Sequence, residues 1–235
     1  MLATIINCIA IIIGGLIGTL SGNRIKPEAS GAIMKVMGLI TFSIGIKSCM
    51  AGEYTLMLVV CMVLGTVIGM LLKLDDRING AGDWAKNKLA GTRLASSQFG
   101  DAFVTTTILF GVGTMTVLGS INAGLSHDYS ILLTKSTMDF VSAIAFSAAL
   151  GSGVIFSAVP ILIIQGGITL LAGVAEPFLS QAVVNEMSAV GGAIFIGMSA
   201  NLLGLGKEHI RVGDMLPAIF LPIIAFPVAR LFGLL

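Results

Sequence analysis

Long apolar stretches, interrupted by charged or turn-forming residues, run the full length of the chain. The runs lie near 2–20, 31–50, 55–73, 102–121, 133–152, 155–175, 187–206 and 214–234. Each is close to the roughly 20 residues that carry a helix across a bilayer. Lipid offers the backbone no hydrogen-bond partner, so a spanning segment of this length must be helical. The pattern predicts an all-α integral membrane protein of about eight transmembrane helices. The least marked break separates the fifth and sixth runs, where only Gly151-Ser152-Gly153 intervenes; segment 130–179 is too long for one span and too short for three. The opening MLATIINCIAIIIGGLIG has no basic residues ahead of it and reads as the first span, not as a cleaved signal.

Composition agrees with that reading. The chain has 235 residues, 56% hydrophobic and 11% charged, with a mean hydropathy of +1.02, whereas about a quarter of the residues of a soluble domain are charged. Eight spans and short connections use the whole length, giving a single transmembrane domain. The net charge of +1 gives no reason to expect nucleic acid as a partner. Cys8, Cys49 and Cys61 show no CxxC spacing, so neither a disulfide framework nor a thiolate metal site is expected. No HExxH, no GxSG, no paired intramembrane aspartates and no nucleotide-binding loop occur. The expectation is therefore a protein that is not an enzyme and has no cofactor or metal.

The basic residues indicate orientation. With eight spans, Arg24, Lys26, Lys35, Lys73, Arg77, Lys86, Lys88, Arg93, Lys207 and Arg211 fall on one side, and Lys47, Lys135 and Arg230 on the other. The positive-inside rule then places the first group in the cytoplasm and both termini outside. Merging the fifth and sixth runs weakens the bias. The linker 74–98 is cytoplasmic in this scheme, and Trp84 between Asp83 and Lys86 suits an interfacial segment as well as a solvated one.

The two ends of the chain resemble each other. Gly14-Gly15 matches Gly166-Gly167, while Met34, Gly38 and Phe42 match Met187, Gly191 and Phe195 one span later. Repeat-like halves 1–75 and 154–235 would flank central helices 102–152. Copies that start at the first and sixth spans run in opposite directions, an inverted repeat of the kind secondary transporters use for alternating access.

Small residues at helical spacing, such as Gly14, Gly18 and Gly22 or Gly65 and Gly69, predict close helix packing. In the fourth span Gly111, Gly113 and Gly119 accompany Thr114, Thr116, Ser120 and Asn122, which predicts either an unwound helix or a glycine-rich packing face. Asp139 follows Lys135 by four residues with Ser136 beside them, so the two charges share a helix face. An ionisable group inside a span is a candidate for a solute, ion or proton path; a structural ion pair is the competing reading. The predicted boundary puts Asp139 about 9 Å into the fifth span. Gln165, Asn201 and Asn7 are further polar groups at depth, while Glu176 and Glu186 bracket an outer turn and are expected to be solvated. Candidate path residues are thus Asp139, Lys135, Ser136, Asn122, Thr114, Gln165 and Asn201.

The string GTMTVLGSINAGLSHDYSILLTKSTMDFVSAIAFSAALGSGVIFSAVPILIIQGGITLLA, residues 113–172, resembles the signature region of the YdfK/YqgA-like bacterial membrane proteins, the family of domain of unknown function 554. The resemblance extends to GGLIG in the first span and VGGAIFIGMSANLLGL in the seventh. It departs from the family pattern at Thr114-Met115, where Pro-Met is common, and at Ala123, where an aspartate is common. It implies a shared fold and a bacterial plasma-membrane location and supplies no substrate. The expected function is secondary transport of a small solute or ion, with a non-transporting scaffold or regulatory protein as the alternative. Expected partners are the lipid bilayer and that solute, with a homo-oligomer as a further option.

Overall fold

The structure is a computed structural model that describes residues 1–22, 27–80, 99–111, 114–206 and 208–231. Arg24, Lys26, Gly113, Lys207 and the Trp84 segment 81–98 lie outside the described residues. Those described are helical or in short turns, with no strand among them.

The helices are α1 (Leu2–Gly22), α2 (Pro27–Cys49), α3 (Thr55–Leu72), α4 (Phe99–Gly111), α5 (Thr114–Leu125), α6 (Ser130–Leu150), α7 (Gly153–Leu170, with a turn at Ser157) and α8 (Gln181–Leu203). A 3₁₀ segment Val212–Phe220 then leads into α9 (Pro222–Leu231). Five helices are each long and apolar enough to cross a membrane, and up to seven if α4 with α5 and the 3₁₀ segment with α9 each form one bent span. The two helices of the first pair lie at 56° to each other, and the second pair bends by 46° beside Pro222. Proline has no N–H to continue the ladder, so this second bend has a local cause.

Helix α1 is inside out relative to a soluble helix. Along α1 the buried stripe is Ala3, Thr4, Asn7, Cys8, Ile11, Gly14, Gly15, Gly18 and Thr19, whereas Ile5, Ile9, Ile13, Leu16 and Leu20 are exposed. On this helix mostly small and polar residues face the neighbouring helices and most of the large aliphatic ones face outward, an arrangement suited to lipid.

Glycines set the closest contacts. A Cβ at Gly14, Gly18 or Gly22 would lie 2.6, 2.2 and 2.7 Å from the carbonyl oxygens of Phe140, Ile144 and Ala148, so α1 runs parallel to α6 with main chain against main chain. Gly15 meets Ile155 and Asn7 meets Gln165, so α1 is antiparallel to α7. The chain therefore reverses between α6 and α7. Gly151, with φ 93°, occupies the turn, a conformation that glycine adopts without steric cost. Gly45 lies against Gly192, and Gly38 against Leu203, in an antiparallel α2–α8 pair. Gly65 and Gly69 meet Ala218 and Asp214 in an antiparallel contact between α3 and the 3₁₀ segment.

Two ends of the bundle can be named from these directions. The amino end holds Met1, the 126–129 turn and the turn before α3; the linker end holds Gly22, residues 74–80, Gly151 and residues 204–206 and 208–211.

Candidate functional site

Polar groups from three helices converge on Asp139. Helix α6 begins at Ser130, three residues before the predicted span, so Asp139 lies at mid-helix, about 13 Å from its start. Lys135 and Asp139 form the expected pair, with side chains 7% and 9% exposed. The sequence did not assign the remaining contacts. Asn7 Nδ2 of α1 donates to Asp139 Oδ2 at 3.0 Å and to Gln165 Oε1 of α7 at 3.2 Å. Lys135 Nζ also stands 5.9 Å from the centre of the Phe110 ring, at the end of α4 where the α4–α5 pair bends.

This geometry fixes both amides. Turning Asn7 over would point its oxygen at the carboxylate, and turning Gln165 over would oppose two N–H groups. The two amides each keep a fully buried atom without a partner, Asn7 Oδ1 and Gln165 Nε2. One turn toward the amino end, Thr4 Oγ1 and Thr169 Oγ1 on the same two helices are also unpaired, as is Ser120 Oγ on α5. A buried polar group without a partner costs about 1–3 kcal/mol, so a cluster of them demands an explanation.

The other predicted residues lie differently. Ser136 is buried beside the pair, but its hydroxyl donates to Leu132 O of its own helix at 2.7 Å. Thr114 opens α5 just past the bend, and Asn122 is half-buried in the last turns of α5, its carbonyl accepting from Ser126 N–H at 2.9 Å. Asn201 is remote from Asp139. It staples the turn after α8, accepting from Ile210 N–H and donating to Ile210 O at 2.8 Å each. There it lines a cavity of about 380 Å³ at the linker end with Lys35, Asp75, Asp101 and His209. Nearby, Asp214 accepts from Arg211 Nε at 2.8 Å and Arg211 Nη2 donates to Asp76 at 2.9 Å. These two carboxylates, Asp214 foremost, raise the Arg211 guanidinium above its ordinary value.

Glu186 corrects an expectation. It is buried, because its Oε1 accepts the main-chain N–H groups of Glu53 at 2.8 Å and Tyr54 at 3.2 Å, at the start of α3. A helix N-terminus carries unpaired N–H groups and partial positive charge, which a carboxylate from a neighbouring helix satisfies. Glu176 is exposed, as expected.

Membrane-length helices with large apolar residues turned outward and a buried Lys135–Asp139 pair among them define a polytopic membrane protein with an ionic network in its interior. The chain belongs to the DUF554 family, proteins of unknown function, which matches residues 2–227. It is 28% identical to the uncharacterized membrane protein YdfK of Bacillus subtilis (strain 168), over 100% of this chain and 99% of that one. It is 29% identical to the uncharacterized protein YqgA of Escherichia coli (strain K12), over 92% of each. No solved structure matches.

Proposed function

We propose that the chain is a secondary transporter of a small solute or ion in the bacterial plasma membrane. The observation that carries this reading is the Lys135–Asp139–Asn7–Gln165 network, which leaves buried polar atoms unpaired at mid-span. A pair made only for structure has no need of several such valences around it, since hydrocarbon gives them nothing to bind. The proposal includes eight crossings, both termini outside, and two inverted units, 1–75 and 154–235. The alternating helix directions support the crossings. The units are supported by the antiparallel contacts that α2 makes with α8, and α3 with the 3₁₀ segment, because a twofold axis in the membrane plane sets matching helices antiparallel. Asn7 and Gln165 then join one unit to the other, where an alternating-access protein holds its cargo.

A non-transporting scaffold or regulatory protein is the second reading. The tight closure around the charged pair favours it, less than a tenth of either side chain being exposed.

Cysteine accessibility separates the two. In a variant lacking Cys8, Cys49 and Cys61, single cysteines replace Thr4, on the amino-end side of Asp139, and Ala143, on the linker-end side. The expected result is that an impermeant thiol reagent reaches Thr4→Cys from one membrane face and Ala143→Cys from the other. A protein in which neither position is reached from either face is a scaffold.

A further inference from the structure

Resting on the transport reading, we infer that Asp139 and its neighbours form a site for a single alkali cation, which exchanges for the proton of Lys135. The unpaired atoms nearest Asp139 are chiefly oxygen acceptors. Asp139 Oδ2 takes both hydrogen bonds, from Lys135 and Asn7, which leaves Oδ1 with no partner among the described residues. Asn7 Oδ1 is likewise free, and the Thr4, Thr169 and Ser120 hydroxyls add oxygens along the way to the amino end. Hard cations take carboxylate, amide and hydroxyl oxygens together with water. The orphaned amide donor, Gln165 Nε2, suits a water that completes the ion's shell. Asp139 is the one carboxylate among these oxygens, so the donor set carries a single negative charge, which a monovalent ion balances and a divalent metal does not.

Charge sets the stoichiometry. Helices α1, α5 and α7 contain no Asp, Glu, Lys, Arg or His, and α6 contains only Lys135 and Asp139. In α4 the one charged residue is Asp101, at the linker end, 3.9 Å from His209. The Cys8 thiol, beside Asn7, turns to the Ala158 carbonyl at 3.4 Å. The network thus holds one acid and one base, and in a low-dielectric interior its neutral states are by far the least costly. One neutral state has the ammonium beside the carboxylate. The other has the cation beside the carboxylate and a neutral amine, so the Nζ–H bond must break as the cation arrives. The proton goes to water on whichever side the site is open to. Each cation is then exchanged for one proton, and no net charge crosses the membrane.

The test uses the purified full chain in liposomes containing a trapped pH-sensitive dye. External sodium, lithium or potassium gluconate is compared with choline gluconate. The expected result is internal alkalinisation with at least one alkali cation and none with choline, unaffected by an imposed membrane potential. Asp139→Asn abolishes it, and Asn7→Ala raises the half-saturating cation concentration about tenfold, the weight of one lost hydrogen bond. Lys135→Gln removes the exchangeable proton, so any remaining cation flux becomes voltage-dependent. The wild-type experiment decides without any variant: no pH change with any of the three cations overturns the inference, as does exchange that survives in Asp139→Asn. If the Thr4 and Ala143 cysteines are reached from opposite faces while no cation moves protons, the inference fails and the transport reading stands. If neither cysteine is reached, both fail together.

Discussion

Asp139 shares its Oδ2 between an ammonium and an amide, so removing one partner leaves a charge with little to neutralise it. Breaking a buried pair in this way costs about 3–5 kcal/mol, whereas replacing both members with apolar residues of similar size is often neutral. Lys135→Met alone is therefore expected to lower the melting temperature in detergent strongly, and Lys135→Met with Asp139→Leu to recover most of the loss. A double variant as unstable as the single one would mean that packing, not charge, is at stake. Glu186 allows a milder test. Glu186→Gln keeps an acceptor for the Glu53 and Tyr54 N–H groups but loses its charge, an expected cost of about 1 kcal/mol, and Glu186→Ala is expected to cost more. At this scale the sequence showed part of the site. The i, i+4 spacing announced the Lys135–Asp139 pair because both residues belong to one helix. Asn7 and Gln165 could be named as polar groups at depth, but their partner is chosen by how three helices pack. Glu186 read as a loop-side acid because nothing local shows that it reaches under the start of α3.

Among the helices, the glycine stripe of α1 is the feature least tolerant of change. At Gly18 a Cβ would stand 2.2 Å from the Ile144 carbonyl oxygen, and main chain cannot swing aside as a side chain can. Gly18→Ala is expected to destabilise by about 1–3 kcal/mol through overpacking. Gly167→Ala, with nothing within 4 Å of the added atom, is expected to be near neutral in the same melting assay. Equal losses at the two positions would contradict the close approach of α1 and α6. That α1 packs closely was legible from Gly14, Gly18 and Gly22; that α6 is its neighbour was not, because small residues at helical spacing recur in several runs. The glycines of the fourth span left unwinding and close packing both open, and the angle between α4 and α5 goes with close approaches at Gly111 to Ile161 and at Gly119 to Leu132. The bend at Pro222 was missed because the apolar run continues through it, and hydropathy does not register a missing N–H.

Across the molecule, the directions of contacting helices make the fifth and sixth segments a hairpin, where hydropathy alone left a choice. With eight crossings, single cysteines replacing His127 and Gly206 are expected to react with an impermeant reagent from opposite faces of the membrane. Labelling of both from one face would remove a crossing and rule out the inverted units. The contacts of α1 also differ in stiffness. Toward α6 it meets carbonyl oxygens at the spacing of bare glycine, and the two helices cannot slide without a collision of backbones. Toward α7 it meets the Ile155 side chain and is tied by two side-chain bonds, Asn7 to Gln165 and the Cys8 thiol to the Ala158 carbonyl. A neutral bond of this kind is worth about 1 kcal/mol. Of the two contacts of α1, the one with α7 is the easier to slide, and such sliding would carry Lys135, Asp139 and Asn7 together and leave Gln165 with α7. Parting that seam breaks two bonds worth together about 2 kcal/mol, a few times thermal energy, so how often it parts is set by how well lipid and water replace them.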